Sequence, residues 1–348
     1  MAIKVIHVEG GLGNQMACYA VYVAAKESNP NDEFYIDTYL YDVKEAHATI
    51  SMWNGYELEK VFGVKIPDIR SLFSEEQVAE QIEYLRKSEF WKHNWNYTEA
   101  FIEMMKKYNL DLKNAFGEIG ESSSGIKSKI KNFVKSIITE STDSAFIYKG
   151  KRVAYALYKK VSKDCGKHLY ERKEGNYFYN ITLDFMKSKF LQDKVGDKVR
   201  TGLQFNTPKD EDNLKYLQLV QTTESVSIHI RRSDYLQFNE DCYKFGYFPK
   251  CISYIKTKVV APVFFIFSDD LKWCENNISE IGLSRNDKVY FVGINSGNSS
   301  FRDMQIMANC KHNIATKSSF GWWGSFLNPN PNKITITQVS DYVSTKQF

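Results

Sequence analysis

From Ser225 onward the chain alternates short apolar runs with longer amphipathic ones, and this rhythm leaves few folds open. The first run, Ser225-Val-Ser-Ile-His-Ile230, sets Val226, Ile228 and Ile230 at every second position, the period of a strand. It ends in Arg231-Arg-Ser-Asp234. A helical segment near 248–258 leads to a second strand, Val263–Phe267, and a helix after Asp270 leads to a third over 288–292. A helix over 300–310 then precedes the strand 312–315, and a short helix precedes the strand 333–337. Strands separated by helices pair in parallel through right-handed crossovers, with helices on both sheet faces. A doubly wound parallel sheet is therefore expected over 224–348, and such sheets bind ligands beyond the carboxyl ends of their strands.

The preceding part reads as a second α/β domain, 1–223, with a helical insertion over about 70–185. Residues 3–8 form a short strand, Gly10-Gly-Leu-Gly13 a tight turn, and Asn14 to about Lys26 a helix. Residues 34–37 read as another strand and 56–62 as a short helical element. A polar segment over 206–213 leads into a helix that ends near Thr223.

Composition narrows the class. With 348 residues, 43% hydrophobic and 25% charged, the chain is long enough for two separate cores. Six cysteines are scattered without a C-x-x-C pair or a histidine at ligand spacing, so neither a disulfide framework nor a zinc site is expected. No signal peptide or membrane-spanning run is apparent. Residues 126–173 carry 13 Lys and Arg against 4 Asp and Glu, so the basicity is local. Within that stretch Ile130, Phe133, Val134, Ile137 and Ile138 recur at helical spacing. The pattern suits either a packed helix with a solvated face or peripheral contact with an anionic membrane. The nearby aromatics belong to no nucleic-acid signature.

Three strand ends carry chemistry. His229, Arg231, Arg232 and Asp234 close the first strand, Ser268 and Asp269 the second, and Ser318, Ser319 and Phe320 follow the strand 312–315. Read singly, the arginines could pair with Asp234 to close a turn, and Ser268 could cap a helix. Together, guanidinium groups and hydroxyls with free amides at one sheet edge suit a nucleotide diphosphate, neutralised without a metal. Asp303, in the helix before the third of these ends, is a candidate acceptor from a base or ribose. The Gly10–Gly13 turn lacks both the Gly-Lys-Ser/Thr of a P-loop and the last glycine of a dinucleotide fingerprint. It still allows close backbone approach at Gly11 and sets Asn14 and Gln15 at a helix start. Asp210-Glu-Asp212 reads as a solvated charge run, and Trp322 and Trp323 as packing residues.

Gly10-Gly-Leu-Gly-Asn-Gln-Met16, His229-Ile-Arg-Arg-Ser-Asp-Tyr235, Phe267-Ser-Asp-Asp270 and Ser318-Ser-Phe-Gly-Trp-Trp-Gly324 resemble, in order and spacing, the bacterial α-1,2-fucosyltransferases of glycosyltransferase family 11. The resemblance implies a GT-B-like chain of two Rossmann-like domains facing a cleft, the C-terminal one binding GDP-fucose as donor substrate. It implies inverting transfer of L-fucose, with no metal or other cofactor, to the 2-hydroxyl of a galactose-like acceptor in a surface glycan such as an O-antigen. Carried over by position, Arg231 would hold the diphosphate with support from His229 and Arg232. Asp303 would bind guanosine, and Ser318, Ser319 and Phe320 would line the donor pocket. Asn14 and Gln15 would face the cleft. Ser233 departs from the family's usual glycine, and Ala17-Cys18 from its usual Phe-Gln. Asp234, Asp37 and Glu9 are the carboxylates available as base, and Asp234 is grouped with Arg231 and His229 as the catalytic set. A cytoplasmic location follows, with peripheral contact at the inner membrane face and a lipid-linked acceptor as its extension. The competing readings are another GDP-sugar glycosyltransferase and a non-catalytic nucleotide-binding module.

Overall fold

The computed structural model describes residues 1–47, 54–116, 147, 150, 165–180, 184–233, 236, 244–338 and 343–344. Of these, residues up to 116 and from 165 to 204 make one compact unit; 147, 150 and the residues from 205 onward make the other.

The first unit holds a four-stranded parallel sheet of β1 (Ile3–His7), β2 (Glu33–Asp37), β3 (Lys113–Asn114) and β4 (Tyr177–Tyr179), in the order β2-β1-β4-β3. Helix α1 (Leu12–Ser28) carries the chain from β1 to β2. Its buried face is mostly small, with Ala17, Ala20, Ala24 and Ala25 beside Met16 and Val21, so it can lie close to its neighbours. Helix α2 (Glu75–Ser88) starts at a capping box between Ser74 and Gln77. Helix α3 (Tyr97–Lys107) buries Tyr97, Phe101, Met104 and Met105 in the core that includes Val5 and Phe178. The helical pattern expected over 70–185 therefore holds for α2 and α3, but β3 and β4 add two strands to the sheet. They span two and three residues, too short to show a period. The apolar positions 130–138 of the basic stretch lie outside the described residues.

The second unit holds a six-stranded sheet, β10-β9-β8-β5-β6-β7. Its strands are β5 (Ser225–Ile230), β6 (Val263–Ser268), β7 (Lys288–Phe291), β8 (His312–Ala315), β9 (Thr335–Gln338) and β10 (Val343–Ser344). Every neighbouring pair is parallel except β9 with β10. The connections run through α4 (Tyr247–Lys258), α5 (Leu271–Asn276), α6 (Phe301–Asn309) and α7 (Ser319–Leu327). From β5 the chain steps outward to β6 and β7, then returns to the other side of β5 as β8 and continues to β9. The reversal between β5 and β8 is a topological switch point, where a doubly wound sheet opens its ligand crevice.

All six residues of β5 are buried. Val226, Ile228 and Ile230 join Phe264, Ile266 and Ile314 in the core, and full burial of such side chains contributes roughly 1.5–3 kcal/mol each. The polar alternates need partners instead. Ser225 Oγ donates to the Val220 carbonyl at 2.6 Å and accepts from the Lys311 amide at 2.9 Å, while Ser227 Oγ accepts from Asn313 Nδ2 at 2.8 Å. Trp322 and Trp323 are buried, with Trp322 stacked on Phe326 at 4.9 Å.

Candidate active site

The chain leaves β5 into a mesh of contacts from both neighbouring strands. The Thr316 amide donates to the His229 carbonyl at 3.0 Å, and the Arg231 amide donates to Thr316 Oγ1 at 3.2 Å. On the other side Arg231 Nη1 lies 2.9 Å from Asp269 Oδ2, and the Arg232 amide donates to Asp269 Oδ1 at 2.8 Å. One carboxylate thus fixes both the Arg231 side chain and the backbone that follows it.

Arg232 is built into the scaffold. Its Nε donates to Asp270 Oδ2 at 3.2 Å, and its guanidinium lies 3.6 Å from the centroid of the Trp273 ring. Asp270 in turn caps α5 by accepting from the Trp273 amide at 3.1 Å, while its own amide donates to Ser268 Oγ at 3.0 Å. The Arg232 side chain keeps 12% of its surface and Arg231 keeps 21%. Arg231 is thus the more accessible of the two guanidinium groups. Among the described residues both arginines pair with the aspartates of the adjacent strand end. Asp234 lies outside the described residues.

His229 is buried below them, with Nδ1 3.3 Å from Thr316 Oγ1 and its ring 5.7 Å from Phe320. Burial, reinforced by the Arg231 charge and opposed by Asp269, pushes its pKa down to about 4. At neutral pH it is an uncharged imidazole, a hydrogen-bonding group and not a second cation. Gly321 permits this packing, since a Cβ there would meet His229 Nδ1 at 2.6 Å. Ser318 is the buried N-cap of α7, where it offers no side-chain cap bond, and Ser319 and Phe320 form the first turn. The Ser318 amide donates to the Thr316 carbonyl at 2.7 Å. Backbone amides at this helix start suit an anion.

Asp303 sits in the first turn of α6, partly exposed at its surface, and accepts from Asn295 Nδ2 at 2.7 Å. Desolvation outweighs that bond and pushes its pKa up to about 7. Asn295 also exchanges hydrogen bonds with Asn213, whose amide and side chain both bind Asp210. Asp210, read from sequence as part of a solvated charge run, is the cap of a helix over Glu211–Thr222. Thr316, Asn295 and Asn213 carry no motif and went unmarked in the sequence. Only their place beside strand ends makes them part of this site.

In the first unit, Gly11 is the N-cap of α1, and Gly10 has φ +72° with the Asn14 side chain packed beneath it. Gln15 is fully buried. Its Nε2 donates to the Gly10 and Gly55 carbonyls at 2.9 and 2.8 Å, and its Oε1 accepts from the Glu57 amide at 2.8 Å. Gln15 therefore braces the glycine turn from within. Among the described residues no three His, Cys, Asp or Glu side chains cluster as a metal ion would require, and no helix is long and apolar enough to cross a membrane.

The family model described as glycosyl transferase family 11 matches residues 135–347, more than half of the chain. An Escherichia coli protein described as an alpha-1,2-colitosyltransferase is 41% identical over 123 residues, 34% of this chain and 41% of that protein. The Escherichia coli O-antigen biosynthesis glycosyltransferase WbnK is 36% identical over 126 residues, covering 34% and 39% of the two chains. The mouse galactoside 2-alpha-L-fucosyltransferase Sec1 is 27% identical over 159 residues, covering 43% and 39%. The matches span about two fifths of the length of these relatives.

Proposed function

Because this chain belongs to glycosyl transferase family 11, we propose that it transfers L-fucose from GDP-fucose to the 2-hydroxyl of a galactose-like unit in a surface glycan, with inversion and without a metal. The observation that carries the reading is the arginine pair at the β5–β8 switch point, with Arg231 partly accessible and aimed by Asp269. A diphosphate bound there meets a permanently ionised guanidinium and the amides at the start of α7. As the sugar–phosphate bond breaks, negative charge grows on the departing GDP, and contacts already in place stabilise the transition state more than the ground state. Asp303 serves as the acceptor for guanine N–H groups, steadied by Asn295.

The relative at 41% identity is described as a colitosyltransferase. Colitose is therefore the second candidate for the transferred sugar. Labelled GDP-fucose and GDP-colitose, each offered with a panel of β-galactosides, test both readings. Transfer from one donor is expected; release of GDP from neither donor, together with no GDP binding by calorimetry, overturns the proposal. We extend it to a lipid-linked acceptor at the inner membrane face, supported by the basic stretch over 126–173. Sedimentation with anionic but not neutral vesicles is expected, and equal behaviour with both removes the membrane part.

A further inference from the structure

Thr316, fully buried just past the end of β8, ties together three parts of the site in the second unit. Its amide donates to the His229 carbonyl at 3.0 Å, and its carbonyl accepts from the Ser318 amide at the start of α7. Its hydroxyl oxygen accepts from the Arg231 amide at 3.2 Å and lies 3.3 Å from His229 Nδ1. One short side chain thus meets both the arginine backbone and the imidazole.

A threonine hydroxyl has one proton to give and two lone pairs to offer. The Arg231 amide takes a lone pair, so the proton still needs an acceptor. Among the described residues His229 Nδ1 is the acceptor within reach, and a buried hydroxyl left without one is costly. The imidazole can accept, because burial holds its pKa at about 4 and leaves the ring uncharged at neutral pH. In the opposite tautomer Nδ1–H would point at an oxygen that already accepts from Arg231, and the threonine proton would have no partner. An accepting Nδ1 in a neutral ring leaves the proton on Nε2.

That nitrogen has no hydrogen-bond partner among the described residues, yet it is not one of the side-chain nitrogens sealed from solvent. His229 keeps 7% of its surface. Gly321 and Thr316 crowd the Nδ1 side, so the open nitrogen lies on the other side of the ring.

We propose that Thr316 is a positioning residue that locks His229 as its Nε2–H tautomer, and that Nε2–H donates to an oxygen of bound GDP. The identity of the ligand rests on the transferase reading above; the tautomer does not. His229 gives a hydrogen bond and keeps its proton. A neutral donor here supports the anion without setting a second cation against Arg231, and its contact strengthens as charge grows on the departing GDP.

Long-range proton–nitrogen NMR spectra separate bare from protonated imidazole nitrogens, and His229→Asn identifies the signals among the six histidines. Wild type at neutral pH should show a bare Nδ1 and a protonated Nε2, and GDP should move the Nε2 signal while Nδ1 stays bare. Thr316→Val keeps the side-chain shape and removes the hydroxyl. It should release the ring to populate Nδ1–H and lose about tenfold in GDP affinity, the scale of a hydrogen bond to a charged group. Thr316→Ser should restore the bare Nδ1 and most of the affinity.

A protonated Nδ1 in wild type overturns the tautomer, even if Thr316→Val fails to fold. Unchanged tautomer and GDP affinity in Thr316→Val overturn the positioning role. GDP that binds without moving the Nε2 signal overturns the contact and leaves the transferase reading intact. No GDP binding by wild type overturns the contact together with that reading, while the spectrum of the free protein still decides the tautomer.

Discussion

The Arg231 guanidinium reaches from the end of β5 to the Asp269 carboxylate at the end of β6, with Nη1 2.9 Å from Oδ2. The same carboxylate accepts the Arg232 amide. A guanidinium on its own flexible stem samples many directions, whereas one held by an adjacent strand is aimed before its ligand arrives. The inter-strand pair therefore converts two neighbouring strand ends into one oriented cation.

Asp269→Ala removes that orientation and leaves largely buried donors without their acceptor. Stability should fall by about 1–3 kcal/mol, the cost of unsatisfied polar groups, and transfer should fall with it. Urea unfolding and turnover check the two arms. A variant as stable and as active as wild type would mean that Arg231 is oriented by something else.

If Asp303 accepts from guanine as proposed, its pKa, raised to about 7 by burial, makes nucleoside binding depend on pH. Guanine N–H groups need the ionised carboxylate, so guanosine affinity should rise about tenfold between pH 6 and 8 as the proton is released. Guanosine has no phosphate to confuse the titration. For stability the sign is opposite: this carboxyl supports the fold most below the ordinary carboxylate range, and the contribution is lost as pH rises through about 7. Asp303→Asn should flatten the guanosine profile. Calorimetry at three pH values measures it.

Gly321→Ala would place a methyl 2.6 Å from His229 Nδ1 and 3.0 Å from the Ala315 Cβ. Neither neighbour is a loose side-chain end, since one is a buried ring and the other lies on β8. Overpacking of this kind costs about 1–3 kcal/mol, and the start of α7 must shift. Thermal unfolding should show the loss, and GDP affinity should drop because the α7 amides move with Ser318 and Ser319.

Much of the second unit was legible in the sequence because β5, β6 and β8 are buried almost throughout and separated by helical segments. Val226, Ile228 and Ile230 mark β5, and β8 falls on the four residues read from the pattern. What the sequence did not carry was lateral order. Nothing in Arg231-Arg232 says that Asp269 and Asp270 stand beside them, because strand adjacency is set by packing across the sheet. For the same reason Thr316, Asn213 and Asn295 looked like ordinary polar residues, and the chain that ties Asn213 and Asn295 to Asp303 was not visible. In the first unit β4 was hidden for another cause. Its three residues are Tyr177-Phe-Tyr179, too brief a run to separate a strand from its surroundings. His7 and Asp37 meet at 2.7 Å across two strand ends thirty residues apart, and only the parallel register of β1 (Ile3–His7) with β2 (Glu33–Asp37) reveals it.

The most direct test of the diphosphate clamp is calorimetry of GDP and of guanosine with wild type and Arg231→Ala. If Arg231 holds the diphosphate, the variant should lose at least about tenfold in GDP affinity, as expected for a charged hydrogen bond worth about 1.5–3 kcal/mol, while guanosine binds as before. Unchanged GDP affinity in Arg231→Ala, or an equal loss for both ligands, would contradict the account.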